Sequence, residues 1–507
     1  MLDNLIDAAQ EALSNRRLND THKLLNQINE EELNLSQLFQ VRSIEIDLNL
    51  LNLNYTEGLD LINTMLGHPS IKSSPYDYLN LLVKELEYQR QSGNLDVTKE
   101  KIAFFESEYD DLVDPNNPQD SKYKSLKLKS AFTQSQMYQQ LGDTDNAEIF
   151  FKKAVNLAKQ LDNNRALTSA LNNLGTLYQM TGQIEKALSY YHKTQTLILQ
   201  LDDSKDKYNK LANILNNIAS AHGFRGHIQK AISTCLDGIS YLDKFESVNL
   251  TPILYTNLGN LYQKSGRYKE SIKILLEAVD LLKQNNNQFR LGVAYYELIK
   301  TSLILDNKSE AKTYLQQLED ICELVAIPYL SGLEKMGRAL IFSKSDELRD
   351  RLEARELFRE EITHPSGNYS LTALAYKELI EFNIMDISIT GNQTLLETTE
   401  YYIHGFKELA EKRKAPIHIC EALILEFNME MFNGNLIIAK DKLKQGIETA
   451  SKFQLEELEE EMIVLQEQFN RQYLNWKAMI ESNTDISKEI ENSQIKQILS
   501  ALVAKYG

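Results

Sequence analysis

The chain has 507 residues, with 72 acidic against 55 basic side chains and a formal charge of −17. That balance excludes nucleic-acid phosphate as the main ligand and leaves basic or amphipathic protein surfaces as the partners that fit. Only 20 Gly and 8 Pro occur, and no alternation of apolar and polar residues is long enough for a sheet, so an all-α fold is expected.

In chain order, residues 2–28 and 33–66 read as two helix pairs, followed by a loop at 68–75 that holds Pro69 and Pro75. Another apolar helical stretch ends at Gly93, and the loop 114–118, with Pro115 and Pro118, divides an N-terminal section of helical repeats, 1–113, from the main array. From 120 to 325 a regular period takes over. Gly142, Gly182, Gly226 and Gly266 are each followed five residues later by a small residue: Ala147, Ala187, Ala231 and Ser271. Twelve residues before the last three of these stand Gly175, Ala219 and Gly259. Small residues on both helices of a pair let the backbones approach closely, and the apolar stripe 171, 174, 175 and 178 marks the packed seam. The periodic glycine lies between the two apolar stretches, where a left-handed residue would end one helix and turn the chain into the next.

Residues 326–453 continue in weaker lettering, with pairs at 330–362 and 369–409 and a further glycine-plus-five spacing at Gly434 and Ala439. Thr251 before Pro252 is expected to cap a helix, and Pro328 and Pro416 to open two more. In the last section, 454–507, Leu455, Leu458, Met462, Leu465, Phe469, Tyr473, Trp476 and Ile480 recur at steps of three or four. They describe one amphipathic helix that either caps the array or binds a partner or second copy, making a homodimer. Ile495, Ile498, Leu499 and Leu502 form a shorter apolar set after it.

The run Leu-Asn-Asn-Leu-Gly-Thr-Leu-Tyr at 171–178, with Gly182, Ala187 and Tyr191, resembles the tetratricopeptide repeat, as do Gly259, Tyr262, Gly266 and Ala278. The period near 40 is similar to the longer-helix version in kinesin light chains, Leu-Gly-Asn scaffold proteins and bacterial peptide-sensing regulators. The resemblance implies a right-handed superhelical solenoid of about eleven or twelve antiparallel helix pairs. It implies little about the task, because one fold serves many functions.

Residues that carry chemistry are mostly missing from the pattern. There is no phosphate-binding glycine loop, dinucleotide fingerprint, Cys-x-x-Cys pair or His-Glu-x-x-His motif, so neither an enzyme nor a cofactor or metal site is expected. His222 and His227 are closest, but His222 stands in the column of Tyr178 and Tyr262, where packing is its expected role. Cys235, Cys322 and Cys420 are unclustered and suit small core positions in a reducing interior. No apolar run approaches the roughly 18–20 residues of a membrane span, and the start lacks a basic and apolar leader, so the cytoplasm is expected.

Amides form the positive signal. Asn173, Asn217 and Asn257 occupy one position of three successive first helices, beside Asn172, Asn216 and Thr256. Thr176, Ser220 and Asn260, with Gln179 and Gln263, extend the same arc, about 100° from the apolar centre. Amides donate and accept, so such a ladder can take an extended peptide backbone without demanding particular side chains. The resemblance implies that this face lines the concave groove and contacts bound peptide. Alternatively the ladder bonds neighbouring helices. Lys264 is the exception on a face otherwise without cations, which disfavours a receptor for C-terminal carboxylates. The expected function is a non-catalytic protein- or peptide-binding scaffold; the alternatives are a peptide-sensing regulator and an oligomer built through the C-terminal helix.

Overall fold

The computed structural model describes residues 2–481, apart from 15–16, 53, 115–119, 244–249, 285–286, 326, 366–368, 391–392 and 434. Among the described residues there are helices and turns and no strand. The chain divides into two compact units, 1–173 and 174–507.

In the first unit, α1 (Leu2–Ser14) pairs with α2 (Leu18–Leu25) and α3 (Leu35–Leu51) with α4 (Tyr55–Leu66). After the single turn α5 (Pro69–Lys72) come α6 (Pro75–Gln91) with α7 (Leu95–Leu112), then α8 (Asp120–Gln140) with α9 (Thr144–Gln160). Between α4 and α6 the small-residue logic is visible: Tyr88 is fully buried, its hydroxyl donates to the Ile46 carbonyl, and its ring lies where a Cβ on Gly58 would stand. Helix α10 (Asn164–Met180) begins in this unit and ends in the second.

The second unit continues with α11 (Ile184–Leu199), α12 (Lys205–Phe224), α13 (Ile228–Asp243), α14 (Thr251–Lys264) and α15 (Tyr268–Gln284). Next are α16 (Gln288–Ile304), α17 (Lys308–Leu324), α18 (Pro328–Ser343), α19 (Leu348–Thr363) and α20 (Tyr369–Thr390). The last are α21 (Gln393–Lys412), α22 (Pro416–Phe432), α23 (Leu436–Lys452) and α24 (Glu456–Glu481). From α11 to α24 each helix packs on the next, and the even-numbered first helices also touch one another, α12 on α14, α14 on α16, α16 on α18 and α18 on α20. This is the arrangement of a repeat stack, in which each pair buries its apolar face only against its neighbours.

Gly142, Gly182, Gly226 and Gly266 all have positive φ, between 70° and 76°, as does Gly93 at 84°. Each allows the backbone N–H of the next residue to reach back into the helix just ended, as Gln183 does to the Tyr178 carbonyl at 2.8 Å. The period continues where its letter changes: Asp306, 40 residues after Gly266, holds the same turn with φ 56°, and Ala311 five residues on is fully buried. Pro328 and Pro416 open α18 and α22 as expected. Thr251 does not cap: it is the first residue of α14, and Leu250 precedes it without a side-chain hydrogen bond. Gly434 lies outside the described residues.

Helix α24 lays Leu458, Met462, Leu465 and Phe469 on the core of α22 and α23, with Phe469 edge-on to Phe427. That is the capping arrangement for its first half. Ile463 and Val464 stay exposed on the other side. The side chains of Tyr473, Trp476 and Ile480, and all of Ile495, Ile498, Leu499 and Leu502, lie outside the described residues. The second unit also touches itself far along the chain. Pro416 sits against the turn at Gly182. Arg225 bonds Gln454 at 3.1 Å and Glu185 at 2.7 Å, and His227 pairs with Glu456.

Candidate functional site: a polar face along the first helices

The amides of the second unit stand on successive first helices, and several reach across from one helix to the next. Gln179 on α10 donates to the Ser220 hydroxyl on α12 at 2.8 Å, and Asn257 on α14 donates to Asn216 on α12 at 2.7 Å. Asn260 donates to Glu297 on α16 at 3.0 Å, and Gln263 to Thr301 at 2.9 Å. Tyr191, from the second helix of its pair, donates to Gln179 at 2.9 Å and to Thr176 at 3.4 Å. Asn216 and Thr256 are buried, Thr256 bonding the Pro252 carbonyl one turn back at 2.8 Å. Thr176, Gln179, Asn217, Ser220, Asn257, Asn260 and Gln263 remain partly exposed. Asn172 and Asn173, also partly exposed, lie within one turn of Thr176 on α10, at the end of the first unit.

The ladder is therefore a bonded network with one open side. An amide that spends a single donor on a neighbour keeps its second N–H and the remaining lone pairs of its oxygen. Cross-helix bonds also restrict the rotamers of the side chains they join.

Beyond α14 the face changes character. With Asp306 and Ala311 setting the register, Tyr296, Glu297 and Lys300 on α16 occupy the positions held earlier by Thr256, Asn257 and Asn260. Glu297 pairs with Lys300 at 2.8 Å. On α20 and α22, Lys377 pairs with Glu421 at 2.8 Å, and Tyr369 meets His418 Nδ1 at 2.6 Å. Sequence reading missed these charged residues because it followed the glycine, and position 306 is Asp. The 40-residue step to a buried Ala was the signal available.

His222 fills the tyrosine column as expected: it is buried, and burial drives its imidazole down to about 4, with Lys230 and His227 adding to the shift. Its ring centroid lies 6.1 Å from that of His227. No group of three or more His, Cys, Asp or Glu side chains among the described residues is arranged to hold a metal ion. Cys235 and Cys420 are buried and Cys322 is partly so, all as free thiols raised by burial. No helix among the described residues is long and apolar enough to cross a membrane.

Models of the tetratricopeptide repeat match residues 130–200, 253–285 and 287–320. A TPR repeat-containing protein of Methanocaldococcus jannaschii is 24% identical over 288 residues, which cover 52% of this chain and 47% of that protein. The chain thus spans about half the length of the curated relative it matches. Among solved structures, the apo form of RapI is 12% identical, with 82% of this chain and 98% of that one covered and a TM-score of 0.43. The apo form of the quorum sensor NprR from B. thuringiensis is 15% identical, with 79% and 98% covered and a TM-score of 0.44.

Proposed function

Because this chain carries tetratricopeptide repeats in its middle section, we propose that it is a non-catalytic protein- or peptide-binding scaffold of the cytoplasm that takes an extended peptide on the polar face of its first helices. The observation that carries this reading is the set of partly exposed amides and hydroxyls at one register of α10, α12 and α14, held in place by bonds from helix to helix. Within the second unit the contact residues are Thr176, Gln179, Asn217, Ser220, Asn257, Asn260 and Gln263, with the buried Asn216 and Thr256 bracing the ladder from behind, and Asn172 and Asn173 extend the set along α10. The partner is a protein segment, basic or amphipathic in keeping with the charge of −17.

A second reading, regulation through a change of curvature, is favoured by one feature. The contacts of Gly182 with Pro416 and of Arg225 and His227 with Glu456 join turns more than 220 residues apart. Few side chains hold them, so a ligand that altered the angle between repeats would break them at small cost. A homodimer through the outer side of α24, at Ile463 and Val464, is the remaining alternative.

The test uses a peptide selected on the full chain from a random octapeptide library. Asn217→Ala with Asn260→Ala should weaken that peptide about 5- to 150-fold, as expected from two hydrogen bonds of about 0.5–1.5 kcal/mol each. Asn257→Ala should lower the melting temperature as well, because it leaves the buried Asn216 carbonyl unpaired. Affinity unchanged in the double variant, with the fold intact by circular dichroism, would reduce the ladder to a structural brace.

A further inference from the structure

The polar column of the first helices reappears on α22 in different surroundings. Ala439 is fully buried, as are Ala187, Ala231 and Ser271, so Asn428, eleven residues before it, stands in the register of Thr176, Ser220 and Asn260. Those three are bonded within the protein: Thr176 accepts from Tyr191, Ser220 accepts from Gln179, and Asn260 donates to Glu297. Asn428 is 7% exposed, and neither its Oδ1 nor its Nδ2 has a hydrogen-bond partner among the described residues. It lines a cavity of about 20 Å³ together with Ile384 and Ile387 of α20, Leu396 of α21, and Met429 and Phe432 of α22. Ile387, Leu396 and Met429 belong to one packed core, and Phe432, 38% exposed, carries the lining out to the surface. Asn433, the next residue, donates to Glu400 at 2.7 Å and ties the end of α22 to the helix of Leu396.

We infer that this cavity is a subsite for the side-chain carboxamide of one Gln in a bound protein segment. The inference rests on the reading that the chain takes such a segment, and not on the amide stretch of α10 to α14. An unmet amide is completed by a group that offers an acceptor and a donor side by side, and a second primary amide does so through two parallel hydrogen bonds. A hydroxyl meets one of the two Asn428 atoms and leaves the other unpaired. A water is a poor occupant, because a buried water needs two to four polar partners and five of the six lining side chains are apolar. A carboxylate or an ammonium would bring an unpaired charge against the same wall. The two methylenes of Gln suit it, and they reach in past Phe432. The room fits as well: about 10–15 Å³ holds one water, so this cavity admits the end of a side chain and not a whole ligand. The terminal torsion of Asn is broad, so the amide plane turns to meet an entering group without a change of rotamer well.

Methyl NMR of the full chain with isotope-labelled methionine methyl groups tests this, with N-acetylglutamine N-methylamide as the ligand and Met429→Leu to assign the Met429 signal. That signal should shift saturably in the millimolar range. N-acetylglutamate N-methylamide, the same shape with a charge, should bind about tenfold or more weakly. Asn428→Leu replaces the unmet amide by an apolar side chain of similar size, so it should melt no lower than wild type and lose about tenfold or more in affinity for the Gln ligand. If that variant does not fold, the comparison of ligands on wild type decides alone. A Met429 signal unmoved by the Gln ligand, or moved equally by the Gln and Glu ligands, would overturn the subsite; the face of α10 to α14, which Asn217→Ala with Asn260→Ala reads separately, would stand. Propanamide bound more tightly than the Gln ligand would give the cavity to a small free amide and overturn the side-chain assignment.

Discussion

Gly175→Ala should destabilise the second unit, although the same change in most helices stabilises. On propensity alone, Ala is better than Gly in a helix by about 1 kcal/mol. At this position a Cβ would stand 2.4 Å from Cε1 and 2.6 Å from Cδ1 of Tyr191. The ring cannot swing aside, because Tyr191 is only 1% exposed and its hydroxyl is bonded to Gln179. Overpacking of this kind costs about 1–3 kcal/mol, enough to reverse the sign. Gly67 is the control: its φ is −72° and a Cβ there meets nothing closer than a carbonyl oxygen at 3.4 Å. Thermal melts should place Gly175→Ala below wild type and Gly67→Ala at or above it. An unchanged or raised melt for Gly175→Ala would mean that α10 and α11 do not meet at this seam.

Gly182→Ala should cost more than Gly266→Ala, although the two glycines have nearly the same backbone, φ 70° and 74°. Both substitutions force an L residue into the left-handed region, a penalty of roughly 1–2 kcal/mol. A Cβ on Gly266 meets nothing within 4 Å, whereas on Gly182 it would stand 2.1 Å from Cδ and 2.7 Å from Cγ of Pro416. The proline ring is part of the first turn of α22 and has no alternative rotamer to adopt, so the turn itself must move. The difference between the two melts, about 1–3 kcal/mol by overpacking, reports the contact between the α10–α11 turn and α22. Equal melts would show that the α10–α11 turn does not meet α22 in solution. They would also remove one of the two contacts that favour a curvature switch.

What the sequence made legible follows from which interactions repeat. The left-handed turns at 142, 182, 226 and 266 were readable because glycine is the residue that meets their φ without strain. Asp306 makes the same turn and was passed over, since Asp also visits the left-handed region through local hydrogen bonding, and Lys414 and Gln454 do so between pairs with no such help. Their conformation is set by the stacking on either side, which a letter-by-letter reading does not contain. The amide columns were visible, but their partners were not. Asn257 bonds Asn216 and not its column mate Asn217, and Gln179 bonds Ser220, each 41 residues away. Neighbouring helices cross at an angle, so the residues that meet are offset from the repeat register. The pairing of Glu456 with His227 lay further out of reach. The acidic run 456–461 reads as a solvated helix face, and only the folded second unit brings its first residue to the turn after α12.

The central claim is that a peptide lies along the first helices, and cross-linking tests it most directly. A selected octapeptide carrying a photoreactive diazirine residue near each end would be irradiated on the full chain and the linked sites identified by mass spectrometry. The account predicts links within 172–180, 216–224 and 256–264, with the two ends of the peptide on different first helices. Links confined to the second helices, 184–199, 228–243 and 268–284, or to 456–481, would contradict it.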